Sequence, residues 1–313
     1  MSRQSVVYGP VPSRRFGLSL GVDIIPHKVC SYDCVYCQLG PTTDHTMQRR
    51  NFLEPDVIIE GLGNALESGP CPDVITLAGS GEPTLHAKLG SIIEGIARIT
   101  DIPLVLLTNG SLLHIPEIRS EIAALDILAP SLDAGDSYTF REINRPCSGM
   151  DFDMMIEGLR DTVVDFDGTI RLETMLLWGL NTDDEQLDNL IRMIDTIAPD
   201  FVDINTPVRP NPLRDLTICP SRFLEDVAKR IKPRASIIVS RPEEEHEERR
   251  FHTGDLGGRI LRMLSRRPCS LNDISAVTGA SRNHILKILD VYITEGRVKE
   301  RKGAKDVYFF APP

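Results

Sequence analysis

From residue 22 to about 240, short apolar runs alternate with stretches whose Ile and Leu recur at helical spacing. The runs 22–25 (VDII), 74–79 (VITLAG), 103–108 (PLVLLT), 127–132 (ILAPSL), 170–177 (IRLETMLL) and 201–208 (FVDINTPV) predict strands. Between them, 56–67, 87–99, 115–124, 152–164 and 184–197 predict amphipathic helices. Alternation of this kind predicts an α/β fold with a parallel sheet. Six strands with five or more helices fit a partial (β/α)6 barrel and fit a doubly wound open sheet equally well. Either architecture puts function where strands end, at their C-terminal edge.

The pattern changes after residue 240. Residues 241–254 (RPEEEHEERRFHTG) are charged and poor in apolar side chains, so they read as a linker. Helices are expected over 255–266, 270–278 and 281–294, with Gly279 as a turn residue and Ser281 as an N-cap. A strand–turn–strand follows, with 297–301 and 306–310 flanking Lys302-Gly303-Ala304-Lys305. This order resembles a winged helix–turn–helix, with Arg282, Asn283, His284 and Lys287 on the exposed face of its recognition helix. The expected division is a core domain over 1–240, a linker over 241–254 and a small domain over 255–313.

Charge supports that division. Residues 255–313 hold eleven Lys+Arg against six Asp+Glu, a net of +5, while the whole chain carries −10, leaving −15 on the rest. A net +5 with a basic turn tip points to nucleic acid as the partner of the small domain; a protein-binding or dimerising module is the alternative. At 313 residues, 41% hydrophobic and 26% charged, the chain has room for an ample core and an ordinary globular composition. No run of about 18 apolar residues predicts a membrane span, and no export signal is visible. Free thiols without an export signal predict the cytoplasm.

The chemistry concentrates at Cys30-Ser31-Tyr32-Asp33-Cys34-Val35-Tyr36-Cys37. The C-x3-C-x2-C spacing lets Cys30, Cys34 and Cys37 converge in one loop. A [4Fe–4S] cluster normally takes four thiolates, so three leave one iron open to a substrate or cofactor. A structural zinc site with His27 or His45 as fourth ligand is the competing reading. Seven cysteines, an odd number in a long chain, argue against a disulfide scaffold. Cys71, Cys147, Cys219 and Cys269 are widely separated and read as isolated thiols without a second cluster.

Polar residues collect at the predicted strand ends. Gly79-Ser80-Gly81-Glu82 follows the second run; its glycines let backbone approach a ligand, and Glu82 can accept from an ammonium group. Asn109 ends the third run, Ser131 and Asp133 the fourth, and these short polar groups suit a ribose. Singly, each also reads as a turn or N-cap residue. Arg171 and Glu173 share a face of the fifth run, as an ion pair or as part of the site. Arg14 and Arg15 lie among prolines and glycines and suit an oxyanion; a solvated basic pair is the alternative.

With Tyr36 before the last cysteine and Ser80-Gly81-Glu82 close to a Gly-Gly-Glu motif, these features resemble the radical S-adenosylmethionine (radical SAM) superfamily. The resemblance implies a partial (β/α)6 barrel and a [4Fe–4S] cluster on Cys30, Cys34 and Cys37. It implies SAM on the open iron, cleaved reductively to a 5′-deoxyadenosyl radical. Tyr36, Gly79, Ser80, Gly81, Glu82, Asn109, Ser131, Asp133 and Glu173 then fall at cofactor-contacting positions. The electron donor is expected to be a reductant such as ferredoxin or flavodoxin. No residue is marked out as a catalytic acid or base. The segment 9–21 (GPVPSRRFGLSLG), with Asn144-Arg145-Pro146 and Asn205-Thr206-Pro207-Val208-Arg209, is similar to the wyosine-synthase-like Fe–S oxidoreductases. 4-Demethylwyosine synthase itself uses further cysteines upstream, and none precedes Cys30. The expected substrate is a tRNA or other RNA nucleotide. The alternatives are a peptide- or protein-modifying enzyme, an iron–sulfur redox-sensing transcriptional regulator, and a zinc-stabilised nucleic-acid-binding protein.

Overall fold

A computed structural model describes residues 6–209, 216–232, 235–238, 256–303 and 306–312. The linker expected over 241–254 lies outside them. The chain opens with a hairpin, β1 (Val7–Ser13) and β2 (Gly17–Val22), and two short strands, β3 (Val29–Cys30) and β4 (Asp44–His45). Then come α1 (Pro55–Ser68), β5 (Val74–Leu77), α2 (Leu89–Ile99), β6 (Leu104–Thr108), α3 (Pro116–Glu121) and β7 (Ile127–Pro130). Next are α4 (Ser137–Ile143), α5 (Phe152–Asp165), β8 (Thr169–Met175), α6 (Asp184–Ile197), β9 (Phe201–Asn205), α7 (Ser221–Arg230) and β10 (Ala235–Ile237).

One sheet runs β1-β2-β5-β6-β7-β8-β9-β10, with β1 antiparallel to β2 and the other neighbours parallel. The order follows the chain without a reversal. A doubly wound sheet requires a reversal at its switch point, so that alternative is removed. The middle strands β5, β6 and β7 are largely buried on both faces, as a helix-covered parallel sheet demands, and every residue of β5 is buried. Helices supply the outer layer; α2 seats Ile92, Ile93 and Ile96, and α6 starts where the Asp183 carboxylate accepts from Gln186 N–H at 2.9 Å.

Among the described residues no backbone pairing between β1 and β10 closes the sheet. Instead the β1–β2 turn crosses the open side, where Arg14 Nη1 donates to the Ile238 carbonyl just beyond β10 at 3.1 Å.

Several sequence expectations are corrected. The run 22–25 is not a strand: β2 ends at Val22, and Ile24 and Ile25 are buried in the loop beyond it. Apolar burial there comes without ladder partners. The true strand was masked by its glycines, of which Gly21 is required because the Tyr8 ring lies where a Cβ would be. Prolines likewise hide β1, which the sheet tolerates as an edge strand. The helices α4 and α7 and the strand β10 were also not anticipated.

The C-terminal residues form α8 (Leu256–Leu264), β11 (Cys269–Ser270), α9 (Leu271–Thr278), α10 (Arg282–Thr294), β12 (Lys299–Lys302) and β13 (Val307–Phe310). Ile260, Leu264, Ile274, Ile285, Leu289 and Phe309 make a separate core under a β11-β13-β12 sheet. Gly279 at φ +67° ends α9, and Ser281 caps α10. The unit packs α9 against β1, and Arg266 lies 4.3 Å over the Tyr8 ring while pairing with Asp23 at 2.9 Å. Among the described residues no helix is long and apolar enough to cross a membrane.

Two helix glycines make opposite predictions. A Cβ at Gly158 in α5 would overlap the backbone of His114, whereas nothing lies within 4 Å of one at Gly63 in α1. Gly158→Ala should cost about 1–3 kcal/mol through overpacking. Gly63→Ala should add about 0.5–1 kcal/mol through helix propensity. Thermal melts of the two variants check both signs.

Candidate functional site

The loop from Val22 to β4 has little regular structure, so its placement depends on hydrogen bonds to other strand ends. On one side Lys28 N–H donates to the Ser80 carbonyl at 2.6 Å and Glu82 N–H to the Val29 carbonyl at 3.0 Å. Gly81 makes this approach feasible, because a Cβ would strike the Val29 carbonyl. On the other side Val35 N–H bonds the Ile143 carbonyl at 2.9 Å and Cys147 N–H bonds the Ser31 carbonyl at 2.9 Å. The cysteine loop is thereby strapped between the residues that follow β5 and those that follow α4.

Each cysteine sulfur in the loop has its own N–H donor. Lys28 Nζ donates to Cys37 Sγ at 3.1 Å, Asn109 Nδ2 to Cys30 Sγ at 3.5 Å, and Asn144 Nδ2 to Cys34 Sγ at 3.5 Å. Donors to sulfur are the means by which a protein orients and tunes thiolates that ligate iron. Burial and Glu82 push the Cys30 thiol up to about 12, and burial and Asp133 push Cys34 well up. These sulfurs therefore ionise when a cationic centre sits between them. Among the described residues no three His, Cys, Asp or Glu side chains gather tightly enough for a single metal ion. His45 Nε2 is engaged by the Ser31 carbonyl at 3.0 Å, and His27 is exposed. Three sulfurs, each with its own N–H donor, suit the ligation of a [4Fe–4S] cluster.

Glu82, read in the sequence as an ammonium acceptor, is only 2% exposed and is fully engaged by the protein. Its Oε1 accepts from Thr84 N–H, Thr84 Oγ1 and Thr108 Oγ1 at 3.0, 2.7 and 2.6 Å. Its Oε2 accepts from Asn109 N–H at 2.7 Å. It joins the β5 and β6 ends, leaving the Gly79–Gly81 backbone as the surface of this loop. Ser80 is fixed from behind, its N–H and Oγ both donating to the Asp23 carboxylate, at 3.1 and 2.6 Å.

Asp133 has a similar internal role. Its Oδ2 accepts from Tyr36 Oη at 2.5 Å and Asn144 Nδ2 at 2.6 Å, and its Oδ1 from Met175 N–H at 2.9 Å. Burial raises its carboxyl to about 6 against those donors. Tyr36 and Asp133 thus hold Asn144 toward Cys34. Ser131 pairs with Glu173 across the β7 and β8 ends. Glu173 is not paired with Arg171, which forks onto Asp203 at 2.6 and 3.0 Å. Glu173 bonds Arg15 Nη1 at 2.7 Å and Asn205 Nδ2 at 2.9 Å. Burial alone would raise its carboxyl; Arg15, Asn205 and Arg14 hold it below the ordinary range.

Cys30, Cys34, Cys37, Tyr36, Asn109 and Asp133 therefore share one hydrogen-bonded neighbourhood, with Glu82 bonded to Asn109 and Gly79–Gly81 adjoining. Glu173 sits farther along the strand ends with Arg15. Two contributors were missed from the sequence. Lys28 is a lone lysine before Cys30, held at φ +59° and 3% exposed. Asn144 lay in a motif noted for its family resemblance, and only the fold brings it 3.5 Å from a cysteine 110 positions away.

Comparison with known proteins places this geometry. The radical SAM superfamily model matches residues 24–201. A UPF0026 protein of Synechocystis sp. is 37% identical over 212 residues, 66% of this chain and 77% of the relative. Another, from Helicobacter pylori, is 30% identical over 86% of each chain. A protein named GTPase Obg from Brachyspira hyodysenteriae is 36% identical over 94% of this chain, which spans 43% of it. This chain also spans 64% of a UPF0026 protein of Methanocaldococcus jannaschii. In fold it is similar to a radical SAM methyltransferase from Sphaerobacter thermophilus, with TM-score 0.54, 18% identity and coverage of 70% and 65%. It is likewise similar to TYW1 with a lysine-pyruvate adduct bound, with TM-score 0.52, 17% identity and coverage of 71% and 74%. The chain belongs to the radical SAM superfamily and, within it, to the UPF0026 proteins. Its cofactors are the [4Fe–4S] cluster and SAM of that superfamily.

A buried ammonium beside Cys37 favours the more negative, reduced cluster. Lys28→Met should lower the cluster's midpoint potential by on the order of 50 mV. A redox titration followed by electron paramagnetic resonance checks it.

Proposed function

We propose that this chain reductively cleaves SAM and directs the resulting radical at an RNA nucleotide, which its C-terminal unit helps to bind. The observation that carries the first part is the set of three sulfurs, each with a separate N–H donor, at the strand ends of a singly wound barrel. A [4Fe–4S] cluster held by Cys30, Cys34 and Cys37 would supply the electron for reductive cleavage of a carbon–sulfur bond of SAM. The chain's own residues do the rest. Lys28, Asn109 and Asn144 orient the thiolates. The Gly79–Gly81 backbone receives the methionine end, and Ser131 and Asn109 offer polar atoms to the ribose. A ferredoxin or flavodoxin in the cytoplasm belongs to this reading as the electron source.

The C-terminal unit is read as a winged helix–turn–helix. Its three helices and three-stranded sheet support that reading. With α9 packed on β1, helix α10 exposes Arg282, Asn283, His284 and Lys287, and β12 exposes Lys299 and Lys302. Such a surface suits a phosphate backbone.

Anaerobic reconstitution with iron and sulfide, then dithionite and SAM, should release 5′-deoxyadenosine. Cys34→Ala should abolish it; release by that variant equal to the parent protein's would refute the assignment. For the second part, Lys287→Glu with Lys302→Glu should weaken RNA binding at low salt by roughly tenfold or more. Unchanged binding would remove the RNA role of this unit.

A further inference from the structure

Where the barrel meets the C-terminal unit, Arg14 of the β1–β2 turn lies within electrostatic range of Arg15 on the same turn, Arg209 beyond β9 and Arg267 beyond α8, and Arg209 within range of Arg267. Among the described residues only two of these arginines are matched by carboxylates. Arg15 bonds Glu173 at 2.7 Å, and Arg209 faces Asp273 at 3.7 Å, too long for a hydrogen bond. Arg14 is exposed and donates to neutral acceptors alone, Asn205 Oδ1 at 3.3 Å and the Ile238 carbonyl at 3.1 Å. Partial desolvation and repulsion from Arg209, Arg15 and Arg267 push the Arg14 guanidinium down to about 10. Among the described residues the cluster carries four positive charges against Glu173 and Asp273, an excess of two.

Mutual repulsion among these cations is a cost that a bound anion would offset. Guanidinium forks fit phosphate oxygens with paired N–H groups, and an excess of two matches one phosphate monoester or two successive phosphodiesters. The position points the same way. Arg15 and Arg14 are joined through Glu173 and Asn205, and Glu173 pairs with Ser131 beside Asp133. Arg267 comes from the C-terminal unit, so the cluster is complete only when both parts of the chain are docked.

We infer that Arg14, Arg15, Arg209 and Arg267 form a phosphate-binding site that anchors the substrate beside the strand ends. It deepens the RNA reading and rests on it for the source of the phosphate. Guanidinium contact with phosphate is independent of base sequence, so the site sets position and leaves selectivity to the strand-end residues.

The test uses the full chain with its cluster reconstituted, and two probes: a labelled single-stranded RNA decamer and adenosine monophosphate. Arg14→Gln with Arg267→Gln should lower affinity for the bound probe at least tenfold. For RNA it should also reduce the slope of log affinity against log salt by about 1.4, two phosphate contacts on a single strand. Arg14→Lys keeps the charge and removes the fork, so it should lose affinity while retaining the slope; unaltered cluster absorbance controls for folding. Monophosphate binding that depends on these arginines, without RNA binding, supports the site and refutes RNA as its source. RNA binding unaffected by the double variant overturns the site and leaves the RNA reading intact. Failure of the parent protein to bind either probe at low salt overturns the site.

Discussion

The structure depends on the strapping of a loop that cannot fold on its own. Beyond the two-residue β3, residues 28–37 form no regular element, and their positions follow from bonds of Lys28 and Val29 to Ser80 and Glu82 on one side and of Ser31 and Val35 to Cys147 and Ile143 on the other. Those anchors are themselves fixed by strands. Glu82 is pinned by four donors from Thr84, Thr108 and Asn109. The segment after α4 is tied through Asn144 and Asp133 to Met175 on β8. Geometry at the sulfurs is thus inherited from the sheet, with buried carboxylates as couplers. An unpaired buried carboxylate would be costly, and here each one is satisfied by several donors.

The same logic reaches the C-terminal unit. Asp23 accepts both polar hydrogens of Ser80 and also receives Arg266 from α8 and its following turn at 2.9 Å. Gly79 leaves room for that carboxylate, since a side chain there would meet it. One aspartate therefore links the loop that faces the cofactor with the part of the chain that carries α10. With Arg267 next in sequence, the seam between the two parts is built from functional groups as well as apolar packing.

Much of this was legible beforehand because it is written in local pattern. Five of the six apolar runs mark β5 to β9 to within a few residues; the sixth, 22–25, names the loop following β2, and β10 has no run of its own. C-x3-C-x2-C and Gly79-Ser80-Gly81-Glu82 are contiguous and readable as chemistry. What was not legible depends on contacts across the sheet. Lys28 looks like any lysine until burial leaves its ammonium beside Cys37. Glu82 and Asp133 look like ligand-facing acids until their donors are counted, and Arg171 looks like the partner of Glu173 until Asp203 and Arg15 take those places. β1 escaped because Gly9, Pro10 and Pro12 speak against a strand, and β2 because of its glycines, of which Gly21 is explained only by the Tyr8 ring packed on it.

The central claim is that three cysteines hold a cluster whose remaining iron is open to SAM. The most direct measurement is the electron paramagnetic resonance spectrum of the dithionite-reduced, reconstituted protein with and without SAM. A spin-one-half [4Fe–4S] signal whose g values shift when SAM is added is the predicted result. A cluster signal that SAM leaves unchanged, or a colourless protein with stoichiometric zinc, would contradict it.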